Sequence, residues 1–131
     1  VLEMPDGRIL VVGMSTSSEA SSDRPPNVAV NRYLASGEPD MSFGKDGRVT
    51  VALPVDVMLI SGAALQVDGS VVMVGSYWDE GGQPFVARVD RDGSLDPSFG
   101  SGGLSTPGTG ATEPFYSSLV VQPDGEILAT I

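Results

Sequence analysis

The sequence predicts an all-β chain of repeated four-stranded units, and three observations carry that prediction. First, Gly37 and Gly93 are 56 positions apart, as are Phe43 and Phe99, so the stretch from Tyr33 to Gly44 returns in step as Val89 to Gly100. Second, an Asp-Gly hairpin signal recurs, as PDGRILVVG at Pro5 to Gly13, VDGSVVMVG at Val67 to Gly75 and PDGEILATI at Pro123 to Ile131. Third, 17 Gly and 10 Pro among 131 residues, with no long apolar stripe at helical spacing, favour short strands joined by tight turns. Repeats of this length mark architectures in which one unit cannot bury its own apolar faces and depends on its neighbours.

Taken in order, Val1 to Met4 and Arg8 to Val12 read as two strands around the turn Pro5-Asp6-Gly7, because Gly accepts positive φ and Asp bonds the turn backbone. Ile9 to Val12 and Val71 to Val74 are apolar at consecutive positions, the pattern of strands buried on both faces between neighbouring sheets. Asp6 to Asp68 is 62 positions and Asp68 to Asp124 is 56, and the extra residues fall in the polar segment 15–26. That segment reads as a surface loop, since lengthening one adds little closure entropy; at a rim it can also contribute to a binding surface.

Asn27 to Tyr33 and Gln83 to Val89 are the third strands of their units and place Arg32 and Arg88 at equivalent positions. An arginine that recurs beside a recurring turn reads as a structural ion pair or carbonyl cap, because architecture repeats where binding sites usually do not. Phe43 and Phe99 are expected to pack between units. Arg48 to Leu53 and Leu104 to Thr106 supply the fourth strands, after which Asp56 to Ser61 and Thr112 to Ser117 lead into the next hairpin.

The expected division is a first unit over 1–57 with its insertion at 15–26, a second over 58–113 and part of a third over 114–131. Four strands in about 55 residues, with partners needed on both faces, suit propeller blades, so the expectation is two four-stranded blades plus part of a third; a β-solenoid with longer coils is the alternative. Repeat folds usually need about three units. The array is therefore expected either to be a piece of a longer one or to be completed by copies, and three copies would total about seven units, within the range of about four to eight blades.

With Lys+Arg 7 against Asp+Glu 17, the net charge is −10 and opposes binding to nucleic acid or to an anionic membrane surface. The absence of Cys and His excludes disulfides, thiolate chemistry, the usual nucleophile–histidine triads and zinc sites built on those residues. No cofactor is expected. Neither a leader peptide nor an apolar run long enough for a membrane span is visible.

Three sets of residues are candidates for chemistry. Tyr77-Trp78-Asp79-Glu80, followed by Gly81-Gly82, could stack on a sugar ring or anchor a protein partner, and the aligned place in the first unit holds Ser15 and Thr16. The structural alternative is that Trp78 closes its strand and covers the blade edge. Asp90, Asp92 and Asp96 around Gly93 are weak calcium candidates, since Arg88 stands where the loop should open and Phe99 where a bidentate acid should close it. Asp79, Glu80 and Glu113 are the acids available to a glycoside hydrolase, and nothing in their spacing brings them together. The glycine runs at Gly100 to Gly103 and Gly108 to Gly110 open no helix and read as turns.

The alternation of PDGRILVVG with VARVDRDGSLDPSFGSGG, the latter at Val86 to Gly103, resembles the delta-60 repeat, a family of bacterial β-propeller-like repeats of large exported or surface proteins. The first copy departs from it, with Leu34-Ala35-Ser36 in place of Asp90-Arg91-Asp92 and Met41 in place of Pro97. The resemblance implies four-stranded blades and no common activity. The reading that follows is a non-enzymatic scaffold, exported or at the cell surface, that recognises a protein or glycan through its loops and packs on neighbouring blades of its own chain or of a homo-oligomer. A lectin-like propeller using Trp78 is the main rival, and a carboxylate glycoside hydrolase the third reading.

Overall fold

A computed structural model describes residues 1–15, 27–78, 82–107 and 118–130. Among these there is no helix. Ten strands form three sheets: β1 (Leu2–Glu3), β2 (Ile9–Ser15), β3 (Asn27–Tyr33) and β4 (Arg48–Val51) in the first, β5 (Val57–Leu65), β6 (Val71–Tyr77), β7 (Gln83–Val89) and β8 (Leu104–Ser105) in the second, and β9 (Ser118–Val121) with β10 (Ile127–Thr130) in the third. Each four-stranded sheet follows chain order and every strand pair is antiparallel. Successive four-stranded antiparallel sheets packed face to face are propeller blades. The solenoid alternative is set aside, because its coils stack in parallel.

One turn is used throughout. In the hairpin between β1 and β2 the Gly7 N–H donates to Met4 C=O at 2.9 Å and the Met4 N–H to Arg8 C=O at 2.8 Å. The same pair of bonds closes Gln66 to Ser70, Gln122 to Glu126, Leu34 to Glu38 and Asp90 to Ser94. The glycine of each turn has φ between 84° and 91°, a left-handed conformation that disfavours any side chain. Where the turn holds an aspartate, that side chain accepts the N–H two residues on, at 2.8 Å for Asp92 and 2.9 Å for Asp68.

The apolar runs are explained by two cores that share one sheet. Val71 and Met73 of β6 point into a cluster with Leu10, Val28 and Val30 of the first sheet and Phe43 of its β3–β4 connection, while Val72 and Val74 point the other way, toward Leu119, Ile127 and Ala129 of the third. All four are therefore buried, as the consecutive pattern predicts. Ile9 to Val12 is buried fully only at Leu10, because among the described residues the first sheet is covered on one face. Phe43 enters the first core and Phe99 packs against the second, so both lie between blades.

The two copies differ at their inner strand. β5 carries two register shifts opposite β6, between Val57 and Leu59 and between Ile60 and Gly62. The bulge presses a carbonyl onto Gly75: a Cβ there would stand 2.0 Å from Leu59 O. The equivalent Gly13 has nothing within 4 Å, since β1 is only two residues long. Gly75→Ala is accordingly expected to lower stability by about 1–3 kcal/mol through overpacking, and Gly13→Ala to leave it within about 1 kcal/mol of the parent. Chemical denaturation of the two variants checks the contrast, and equal effects would contradict the assigned bulge.

Candidate functional site

The best-defined polar constellation occurs twice, at the connection between the third and fourth strands of each blade. Arg32 is the second-to-last residue of β3, and its carbonyl accepts the Asp40 N–H at 2.9 Å while its own N–H donates to Gly47 C=O at 2.8 Å. This folds the connection back on the strand and brings Asp40 beside the guanidinium, whose Nε donates to Asp40 Oδ2 at 2.8 Å. Asp40 Oδ1 accepts the Ser42 N–H at 3.0 Å and the Ser42 hydroxyl at 2.5 Å. The guanidinium also reaches Ser42 Oγ at 3.2 Å and lies 4.4 Å from the centre of the Phe43 ring. In the second blade Arg88, Asp96, Ser98 and Phe99 repeat each contact, with Nε to Asp96 Oδ2 at 2.6 Å and the ring centre at 4.9 Å.

Both aspartates are buried, and every carboxylate oxygen has a donor. The Ser42 hydroxyl, then the Ser42 N–H, Arg8 and Arg32, hold the Asp40 carboxyl far below its ordinary value of 3.8 against the opposing effect of burial. Ser98 and Arg88 lower Asp96 in the same way. Arg8 is peculiar to the first blade: it bonds Asp6 at 2.6 Å and reaches Asp40 at 3.2 Å, and the second blade has Ser70 in its place. A carboxylate so fully engaged is a strut. It has no free lone pair with which to act as a base or nucleophile.

The structure separates the three calcium candidates. Asp96 belongs to the corner just described, and Asp92 Oδ1 accepts the Ser94 N–H at 2.8 Å within its turn. Asp90 and Asp92 line an open depression with Asp68, Ser70 and Arg91, a grouping across two turns that sequence spacing did not show. Among the described residues no three acidic side chains are placed to hold an ion together. The depression arises because each hairpin turn leans on the corner turn of its own blade: a Cβ on Gly69 would lie 3.3 Å from the Arg91 Cβ.

The antiparallel order puts these turns and corners on one rim of the blades and the ends of β2, β4, β6 and β8 on the other. Trp78 stands on that second rim, directly after β6. Its N–H donates to Asp56 C=O at 2.9 Å, which fixes the backbone, and its side chain is left 65% exposed. Tyr77 points inward and packs on the core between the first two blades. The pair is therefore split, with one ring structural and the other open to solvent. Asp79, Glu80 and Glu113 lie outside the described residues, as do residues 16–26 of the insertion expected at 15–26 and the segment 108–117 that precedes β9.

A family model described as a domain of unknown function (DUF5122) beta-propeller matches residues 5–43 and 66–99, more than half of the chain. Both matched stretches run from a hairpin turn to the phenylalanine under the arginine, so the corner closes each of them. No curated protein and no solved structure matches the chain.

Asp40 and Asp96, like Asp6, Asp68 and Asp92, have lowered carboxyl pKa values and so contribute to the loss of stability in acid. Below the ordinary carboxylate value of 3.8 the unfolded chain takes up protons that folded Asp40 and Asp96 do not, so stability falls as pH falls through that region toward the lowered values. Their contribution is complete at neutral pH. Asp40→Asn combined with Asp96→Asn is expected to weaken the protein at pH 7 and to flatten the acid limb of its stability curve, measured by urea denaturation from pH 7 to pH 2. An acid limb as steep as the parent's would contradict the assignment.

Proposed function

We propose, for a chain that belongs to the DUF5122 β-propeller family, a non-enzymatic role in which rigid blades hold a recognition surface on the rim opposite the corners. The observation that carries this reading is Trp78, a large aromatic side chain exposed on a backbone anchored by the Asp56 carbonyl. Exposed tryptophan on a fixed backbone offers contact area at little cost in conformational entropy, which is why it is frequent among residues that dominate binding energy. The two rims differ in kind. The corner rim repeats its arginine, aspartate, serine and phenylalanine contacts in both blades, whereas the connection after β2 spans 16–26 and its counterpart after β6 only 78–82. Connections that differ in length between copies, over a frame whose strand order and corner contacts recur, are the arrangement that supports recognition through loops.

The finer assignment is a delta-60 repeat of a larger bacterial protein that is exported or displayed at the surface. It is supported by the paired motifs at Pro5 to Gly13 and Val86 to Gly103 and by the acidic, cysteine-free composition. A second reading, binding of a glycan, is favoured by the same exposed indole, since sugar rings stack on flat aromatic faces.

Trp78→Ala is expected to change folding stability by no more than about 0.5 kcal/mol, as for a surface position, and to weaken binding at least about tenfold. Pull-down of partners and a glycan array, each run with parent and variant, check both statements and divide protein from glycan. A large loss of stability with unchanged binding would place Trp78 in the core and overturn the proposal.

A further inference from the structure

We propose that the Asp46-Gly47 linkage, in the corner of the first blade, is a modification site at which the backbone isomerises to isoaspartate without an enzyme. Asp-Gly occurs five times, at Asp6, Asp46, Asp68, Asp92 and Asp124. The linkage is reactive by nature, because a glycine has no side chain to hinder the approach of its nitrogen to the neighbouring carboxyl carbon. What separates the five is how the fold ties down the two reacting groups.

Four of the pairs are held by hydrogen bonds. The glycine N–H donates to the carbonyl three residues back, at 2.9 Å for Gly7, 3.0 Å for Gly69, 2.8 Å for Gly93 and 2.9 Å for Gly125. The aspartate Oδ1 accepts the N–H two residues on, at 3.1 Å for Asp6, 2.9 Å for Asp68, 2.8 Å for Asp92 and 3.1 Å for Asp124. Such bonds favour the ionised carboxylate, the poorer electrophile, and hold it on a nitrogen other than the glycine's. At Asp46 neither restraint is present among the described residues: no donor meets its carboxylate, and the Gly47 N–H has no acceptor. Lys45 and Arg48 exchange N–H to C=O bonds at 2.9 and 3.0 Å, so Asp46 and Gly47 form a two-residue turn with φ of 55° and 81°. Asp46 is the one described non-glycine residue in the left-handed region, where its side chain is disfavoured. It is also exposed, so water reaches it. The equivalent residue of the second blade, Gly102, is exposed as well, and a Cβ there would meet nothing within 4 Å, although the first blade packs against that blade. The turn is therefore open also in a blade that has a neighbour in front.

The step needs no co-reactant. The Gly47 nitrogen attacks Cγ of the protonated Asp46 carboxyl; the N–Cγ bond forms, the Cγ–OH bond breaks, and the hydroxyl leaves with the nitrogen's proton as one water. Water then adds back to the cyclic imide. Addition at Cγ restores aspartate, whereas addition at the α-carbonyl breaks the original peptide bond and leaves Gly47 attached through the side chain, with a free α-carboxylate. Nothing is oxidised or reduced, and the mass is unchanged. The product lengthens the main chain by one carbon where Gly47 is closely held: its carbonyl accepts the Arg32 N–H at 2.8 Å, and a Cβ on it would stand 3.1 Å from the Pro39 Cβ. Isomerisation thus displaces this turn from Arg32 and loosens the corner that carries Asp40 and Phe43. The proposal is independent of the recognition role of Trp78, which stands on the other rim.

Ageing the folded protein for several weeks at body temperature and neutral pH tests it. Methyl transfer from labelled S-adenosylmethionine by a protein isoaspartyl methyltransferase measures the free α-carboxylates formed, and digestion with a protease that cuts before aspartate but not before isoaspartate places them. Label is expected at position 46 at least about tenfold above any other Asp-Gly pair. Asp46→Gly, which installs the residue of the second blade, is expected to lose that label. Asp46→Asn, which closes the same imide with loss of ammonia, is expected to gain it at least about tenfold faster than the parent. Melting curves by circular dichroism establish that both variants are folded. In the isomerised fraction the Arg32 amide is expected to exchange with solvent at least about tenfold faster than in fresh protein. Label spread evenly over the five pairs, label undiminished in folded Asp46→Gly, an Asp46→Asn variant no faster than the parent, or an Arg32 amide that keeps its protection after isomerisation would overturn the inference.

Discussion

The guanidinium at the end of the third strand is the constraint on which the rest of this structure depends. In each blade it neutralises a buried aspartate, meets the serine that caps the same aspartate, and lies over the phenylalanine that enters the core between blades. A planar cation with several fixed donors can make all three contacts at once, and a lysine cannot. The carboxylate is satisfied by partners close in sequence, with Ser42 and Ser98 two residues away, so the connection is locally ordered before it meets a neighbour. Placing the ring against the cation then ties that local order to the packing of one blade on the next.

This arrangement explains why the two rims behave differently. On the corner rim Arg8, Arg32 and Arg88 are engaged by Asp6, Asp40 and Asp96, while Asp68, Asp90, Arg91 and Asp92 line an open depression beside them. The connections of the opposite rim differ in length between copies, 16–26 after β2 against 78–82 after β6. Of the acids singled out in the sequence, Asp96 is fully engaged by the fold and Asp92 bonds its own turn, whereas the Trp78 side chain is exposed.

Much of the fold was legible because its signals are local and recur. The bounds of β3 and β7, the glycine turns and the inter-blade places of Phe43 and Phe99 all follow from register and turn chemistry. The ion pairing of Arg32 and Arg88 was also legible as a type, but its partners were not. Asp40 and Asp96 lie eight residues away, and only the folding of the connection brings them near. Arg8 escaped notice for a related reason: it is not repeated, and its contact with Asp40 spans 32 positions. Asp90, Asp92 and Asp96 look like one loop in sequence and divide in space between a depression, a turn and a corner. The reason for Gly75 was hidden as well, because it lies in a carbonyl of the neighbouring strand. Sequence spacing left Trp78 open between covering an edge and facing solvent, since that choice rests on how a neighbouring connection runs.

The claim that the arginine corner clamps each blade to the next is tested most directly by native-state hydrogen exchange at the amides of Asp96 and Phe99, which donate to Arg88 C=O and Asp96 C=O. In the parent protein these amides should exchange nearly as slowly as those of β6. In Arg88→Met they should exchange at least about 100-fold faster by local opening, while β6 and the untouched corner at Asp40 and Phe43 keep their protection. Corner amides that exchange as fast as exposed turns in the parent, or that are indifferent to Arg88→Met, would show that the blades are held by their apolar faces alone.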